Sequence, residues 1–211
     1  MAIVDALGAM DRLSATRPIF HSEADFQHAL AWQIQVEHPT ARIRLETRPS
    51  RGIHLDGLVE VGRNRVAIEL KYLAARFEGI VGGEQFDLPN QGAHVISRHD
   101  VVKDVMRVEQ FIASGIADSG WVIALTNDGG YWRPGSKQVP IDAMFRLHEG
   151  SEIAGSMHWS VLAGAGTTRG RDQPLVLENL YSCGWRDYSS VSASNGRQVA
   201  LRYLPFEISL A

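Results

Sequence analysis

Asp56, Glu69 and Lys71 are the residues of this chain whose types and spacing could do chemistry. Glu69 and Lys71 stand two apart in the run Val66-Ala-Ile-Glu-Leu-Lys-Tyr72, and residues two apart on an extended strand share a face. Ile68, Leu70 and Tyr72 then point the other way. A carboxylate and an ammonium on one face of such an apolar strand are costly unless that face is wet or working. Upstream, residues 53–61 form a second run rich in Val, Ile and Leu, and the polar Gly62-Arg-Asn-Arg65 between the runs reads as a tight turn. With Arg63 and Asn64 as the loop, Gly62 pairs with Arg65, Asp56 lies opposite Lys71, and Glu69 is its diagonal neighbour. A four-residue loop would keep that parity and a three-residue loop would break it. Two carboxylates and a lysine gathered on one patch have the composition to hold a hard divalent cation and to steady charge developing beside it.

The preceding elements aim at the same patch. Ser22 can cap a helix running to about Glu37, with Asp25 in capping-box position and Pro39 beyond the end. At 100° per residue Phe26, Leu30 and Ile34 make its buried stripe, and Glu23 and Gln27 lie on that stripe. Polar residues at the leading end of a core-facing stripe should point at something. Asp25, facing outward, can serve the helix dipole by itself, which leaves Glu23 for the site. Residues 41–47 alternate apolar and polar as a half-buried strand does, giving the order helix–strand–strand–strand.

Asp56 followed by Glu69-Leu70-Lys71 on the next strand resembles the active-site hairpin of the PD-(D/E)XK nuclease superfamily, with Leu55 where the name-giving Pro would stand. The resemblance runs from Phe20 to about Leu73. It implies an α/β fold with a restriction-endonuclease-like mixed central sheet flanked by helices, and hydrolysis of DNA phosphodiesters leaving a 5′-phosphate. It implies Mg²⁺ (or Mn²⁺) between Asp56, Glu69 and the Leu70 carbonyl, Lys71 beside the scissile phosphate, and Glu23 reaching in from the first helix. Gln27, Arg48, Arg51 and His54 are the expected nucleic-acid contacts, within a wider group of arginines (Arg42, Arg44, Arg63 and Arg65) read as lying beside the site. Cutting both strands of a duplex would favour a homodimer. The alternative is a non-catalytic nucleic-acid-binding or assembly subunit with the same fold.

Residues 1–19 read as a packing arm with a helical piece over Ile3–Leu13, residues 20–130 as the core, and residues 131–211 as a β-rich C-terminal extension of a single domain. Residues 73–99, rich in Gly, read as an irregular connection whose Glu84, Gln85, Asp87 and Gln91 are candidate substrate contacts. A helix is expected from Asp100 to about Ala113, with Val101, Val102, Val105, Val108 and Ile112 as its apolar side. Its Asp100–Lys103 and Asp104–Arg107 pairs suit a solvated face. Gly120–Thr126 is a continuous apolar run, the mark of a strand buried on both faces, reached by a parallel crossover. Further on, Gly164–Gly170 reads as a hairpin turn, and Trp159, Tyr181, Trp185, Tyr188 and Tyr203 read as core and interface anchors.

A chain of 211 residues, 45% hydrophobic and 21% charged, suits one globular domain with a proper core. Its net charge of −3 does not advertise nucleic-acid binding, so the local field has to carry that argument. One cysteine, Cys183, excludes an internal disulfide or a Cys-based zinc site, and the histidines show no zinc spacing. No apolar run is long enough for a membrane span, and no basic n-region precedes an apolar one, so a cytoplasmic location is the expectation.

Overall fold

The computed structural model describes residues 4–49, 53–135 and 140–209. Helices α1 (Ala6–Thr16) and α2 (Glu23–Glu37) come first, followed by strands β1 (Arg42–Thr47), β2 (Leu55–Val61) and β3 (Asn64–Leu73). Hairpin β4 (Phe77–Val81) and β5 (Glu84–Leu88) leads to helix α3 (His94–Ala113) and strand β6 (Ser119–Thr126). After a 3₁₀ turn over Ala143–Phe145 come β7 (Glu152–Met157), the one-turn helix α4 (Ala165–Thr168), β8 (Leu175–Ser182), β9 (Arg186–Ser192) and β10 (Gln198–Ile208). The fold is mixed α/β, with a six-stranded sheet of order β1-β2-β3-β6-β10-β9. β3 and β6 run parallel across the α3 crossover, and every other neighbouring pair is antiparallel. No helix among the described residues is long and apolar enough to cross a membrane.

Two cores sandwich the sheet. Phe20 and the α2 stripe Phe26, Leu30 and Ile34 pack with Ile68, Leu70 and Tyr72 on one side. Val101, Val105 and Val108 of α3 pack with Ala67, Val122 and Ala124 on the other. The alternation expected for β3 therefore holds, and its Glu69–Lys71 face is the one turned to α3. Helix α2 starts where the sequence places it, because the Ser22 hydroxyl accepts the Asp25 N–H at 3.1 Å. Strand β6 is buried along almost its whole length, as its unbroken apolar run requires. At Gly120 a Cβ would collide with Val108 Cγ1, so glycine here lets α3 lie close against the sheet.

Four expectations are corrected. Residues 73–99 are not an irregular connection: Phe77, Phe86 and Leu88 are buried on a β-hairpin, whose loop Gly82–Gly83 has φ of 60° and 87°, values only glycine adopts freely. Helix α3 begins at His94, not Asp100, after Ala93 in a left-handed conformation. Gly164–Gly170 is a one-turn helix and a turn within the β7–β8 connection rather than a hairpin tip. Residues 131–211 do not stay outside the core, because β9 and β10 return to the six-stranded sheet and leave only β7, β8 and α4 as an annex. The five punctuating aromatics are buried at 8% exposure or less, which matches the packing reading.

Candidate active site

The hairpin closes through a two-residue loop, Gly62–Arg63, with Gly62 at φ 63° and Val61 paired with Asn64. The expected loop, Arg63–Asn64, is thus displaced by one residue, because glycine takes the positive φ of the first loop position more cheaply than arginine. The pairing moves by two: Gly57 faces Ile68, and one step further Asp56 comes level with Glu69, leaving Lys71 diagonal. A shift of two preserves facing, so the three residues still share one side.

Ladder pairing between β2 and β3 ends at Gly57↔Ile68, and β2 continues against β1 instead. The far half of β3 would then carry bare N–H groups, which a buried backbone cannot leave unpaired. Side-chain carboxylates take them. Asp56 Oδ2 accepts from Leu70 N–H at 2.9 Å, and Glu23 Oε2 accepts from Tyr72 N–H at 2.9 Å. Gln27 Nε2 donates to the Asp56 carbonyl at 2.7 Å and to Glu46 Oε1 at 3.0 Å. The open edge of β3 thus accounts for where Asp56 and Glu23 lie.

Helix α3 covers this edge with two residues whose role the sequence reading missed. Asp104 Oδ2 lies 2.9 Å from Lys71 Nζ, and Asp104 Oδ1 takes Arg107 at 3.0 Å. Arg107 also approaches Glu69 Oε1 to 3.1 Å and donates to the His54 carbonyl. The Asp104 side chain is only 5% exposed, so this is not the solvated face expected of α3. A signal was present: at 100° per residue Asp104 falls between Val108 and Phe111, inside the apolar arc. Glu46, also unsuspected, sits at φ 50° on β1 and pairs with His54 at 2.8 Å.

Four carboxylates (Glu23, Asp56, Glu69 and Asp104) thus meet two cations. Burial, then the Asp56 and Asp104 charges, push the Glu69 carboxyl up to about 9 against the pull of Arg107 and Lys71. Burial likewise raises Asp104 and Glu23, each opposed by Lys71. Burial works against the Lys71 ammonium, but Asp104 and Glu23 overcome it, so Lys71 is held more firmly protonated than a free lysine. Glu69 is 1% exposed, and neither of its oxygens has a hydrogen-bond donor in line.

Carboxylate oxygens with only the Arg107 guanidinium beside them are hard donors of the kind a divalent cation takes. The Leu70 carbonyl, the third expected ligand, carries the Lys71 ammonium at 3.1 Å. As it stands, no group of three His, Cys, Asp or Glu side chains among the described residues is disposed around a metal position. Of the expected nucleic-acid contacts, Gln27 is buried in the bonds just given, His54 is half exposed beside Glu46, and Arg48 is exposed beyond the end of β1. Arg51 lies outside the described residues. The hairpin arginines are not beside the site. Arg65 is six residues from Lys71 along β3, roughly 20 Å at strand rise. It is paired with Asp118 at 2.9 Å, while Arg42 and Arg44 both pair with Glu60.

No family model matches this chain, and neither a curated protein nor a solved structure matches it.

Proposed function

We propose that this chain is a Mg²⁺- or Mn²⁺-dependent DNA endonuclease of the PD-(D/E)XK type, with the restriction-endonuclease-like fold that this assignment entails. One observation carries the reading: Glu69, at 1% exposure, has no hydrogen-bond donor in line and only the Arg107 guanidinium, 3.1 Å away, as an ion-pair partner among the described residues, beside Asp56 and Asp104. A buried carboxylate without donors is expensive, and a cation is what such a cluster of oxygens suits. Asp56 and Glu69, with the Leu70 carbonyl, are the residues to hold it. The bound cation would lower the pKa of water and polarise the scissile phosphate. Lys71, paired with Asp104, would offset charge building on the phosphate oxygens. Arg107 ties Glu69 to α3, Glu23 caps the edge of β3, and Gln27 ties the Asp56 carbonyl of β2 to Glu46 of β1. The test is nicking of supercoiled plasmid with and without Mg²⁺. Lys71→Ala and Glu69→Ala should each abolish metal-dependent nicking while melting cooperatively, and retained cleavage in either variant removes the mechanism.

A second reading has its own support. Lys71, Asp104, Arg107 and Glu69 already close an ion network on themselves, and the net charge is −3. A non-catalytic subunit that binds nucleic acid or a larger assembly would show that network without needing a metal. Titration with Mn²⁺ separates the two, because only a metal site raises the melting temperature through Asp56.

A further inference from the structure

On its outer side Lys71 opens onto a cleft of about 440 Å³, lined by Lys71, Lys103, Arg107, Arg169 and Arg171 together with Asp100 and Asp104. Five cations against two carboxylates make this cleft positive on a chain whose net charge is −3. Both carboxylates are engaged: Asp104 by Lys71 and Arg107, Asp100 by His99 at 3.1 Å and Arg171 at 3.5 Å. Among the described residues Lys103 and Arg169 have no ion-pair partner, and both are exposed.

The arginines are delivered by a built turn. Arg171 N–H donates to the Thr168 carbonyl at 2.7 Å, Arg169 has φ −52° and ψ 117°, and Gly170 has φ 71°. These are the angles of a type II turn, whose third residue requires glycine. The turn is anchored on α3. Trp159 donates its indole N–H to the Arg171 carbonyl at 2.9 Å, and its ring stacks on that of the buried His99, with centroids 5.2 Å apart. The β7–β8 annex therefore fixes the backbone that carries Arg169 and Arg171 at the cleft, rather than leaving them on a free loop.

We propose that the Thr168–Arg171 turn, with Lys103 of α3, is a phosphate grip that holds a nucleic-acid strand beside Lys71. Cations lining an open cleft suit an anion that repeats along a chain, and a phosphodiester backbone presents one charge per nucleotide. The identity of that anion rests on the nuclease reading proposed above. The grip is separable from catalysis, because neither Arg169 nor Lys103 belongs to the carboxylate–lysine cluster.

The experiment is fluorescence anisotropy of labelled 20-nucleotide DNA, single-stranded and duplex, in EDTA over a series of salt concentrations. Removing one cation that neutralises a phosphate should reduce the slope of log K against log salt by roughly 0.7 for a single strand and 0.9 for a duplex. A Lys103→Ala, Arg169→Ala double variant should therefore lose roughly 1.4 or 1.8 of slope, whereas Arg42→Ala, Arg44→Ala should lose none. An unchanged slope in the first pair, or no binding of either DNA by the unaltered chain, overturns the grip. Loss of slope in a chain that never cleaves with Mg²⁺ leaves the grip standing and removes the nuclease reading. Cleavage with an unchanged slope does the reverse.

Discussion

Glu69 and Glu109 are buried to almost the same degree, at 1% and 2% exposure, and they are opposites. Glu109, on α3, accepts the N–H groups of Glu178 and Asn179, the Asn179 side-chain amide and the Tyr181 hydroxyl, all within 3.1 Å. It is a finished acid: every donor there is neutral, and together they disperse its charge while fastening β8 to α3. Glu69 has no donor in line, two acids close by, and a lone guanidinium at 3.1 Å. The difference teaches that burial alone does not say what a carboxylate is for; how it is satisfied does. A structural carboxylate is surrounded by donors, while one left short of them calls for another explanation, and the proposed cation is the one tested below.

Breaking the finished acid should give the largest effect. Glu109→Ala strands two backbone N–H groups, an amide and a phenol, and should cost roughly 3–5 kcal/mol in urea denaturation. It should leave metal-dependent melting shifts intact. If Glu109→Ala proves neutral, the contrast with Glu69 loses its structural half.

The unfinished acid should respond to metal and to pH. At a hundred times its Kd, Mn²⁺ should stabilise the chain by about 2.7 kcal/mol, read as a higher Tm that vanishes in Asp56→Ala. That gain should be greater near pH 8.5 than near pH 5.5, because the cation must displace the proton Glu69 holds up to about 9. Metal-free, the sign is fixed by a folded-state pKa raised from the ordinary 4.5. This group's contribution is fully present below about pH 4.5 and is lost as pH rises towards 9. Glu69→Gln removes the titration, so its melting temperature in EDTA should exceed the parent's at pH 8 by more than at pH 5. Each kcal/mol relieved should be worth about 2–4 °C. A parent whose metal-free stability is flat over this range would mean that Glu69 is not short of partners.

The smallest effect sharpens a second contrast, between cations that are paired and cations that are not. Arg44→Ala removes an exposed partner of Glu60 and should change stability by less than about 1 kcal/mol. A loss beyond that range would mark the β1 edge as more than a solvated rim.

Much of this was legible from short stretches. The Ser22 cap, the α2 stripe and the unbroken run of β6 follow from local periodicity, because each element buries one face or two and its sequence must show it. The common facing of Asp56, Glu69 and Lys71 survived a hairpin register displaced by two residues, since facing depends only on parity. Glu23 was traceable because a polar residue on a core-facing stripe needs a partner, and that partner is the Tyr72 N–H. Asp104 is legible on the helical wheel, but its i,i+3 pairing with Arg107 offers a surface explanation that local sequence alone does not exclude.

The chain by itself determined which residues share a face and which elements follow one another, since these are set by periods of two and of 3.6 and by the turn glycines. Only the folded molecule decided that β2 leaves β3 early, that α3 brings Asp104 and Arg107 over the exposed edge, and that Arg169 and Arg171 stand beside Lys71. Those contacts join residues about thirty to a hundred positions apart, brought together because Gly120 lets α3 settle on the sheet and Trp159 docks the annex on His99. No local pattern encodes a meeting that depends on how separate layers come to rest.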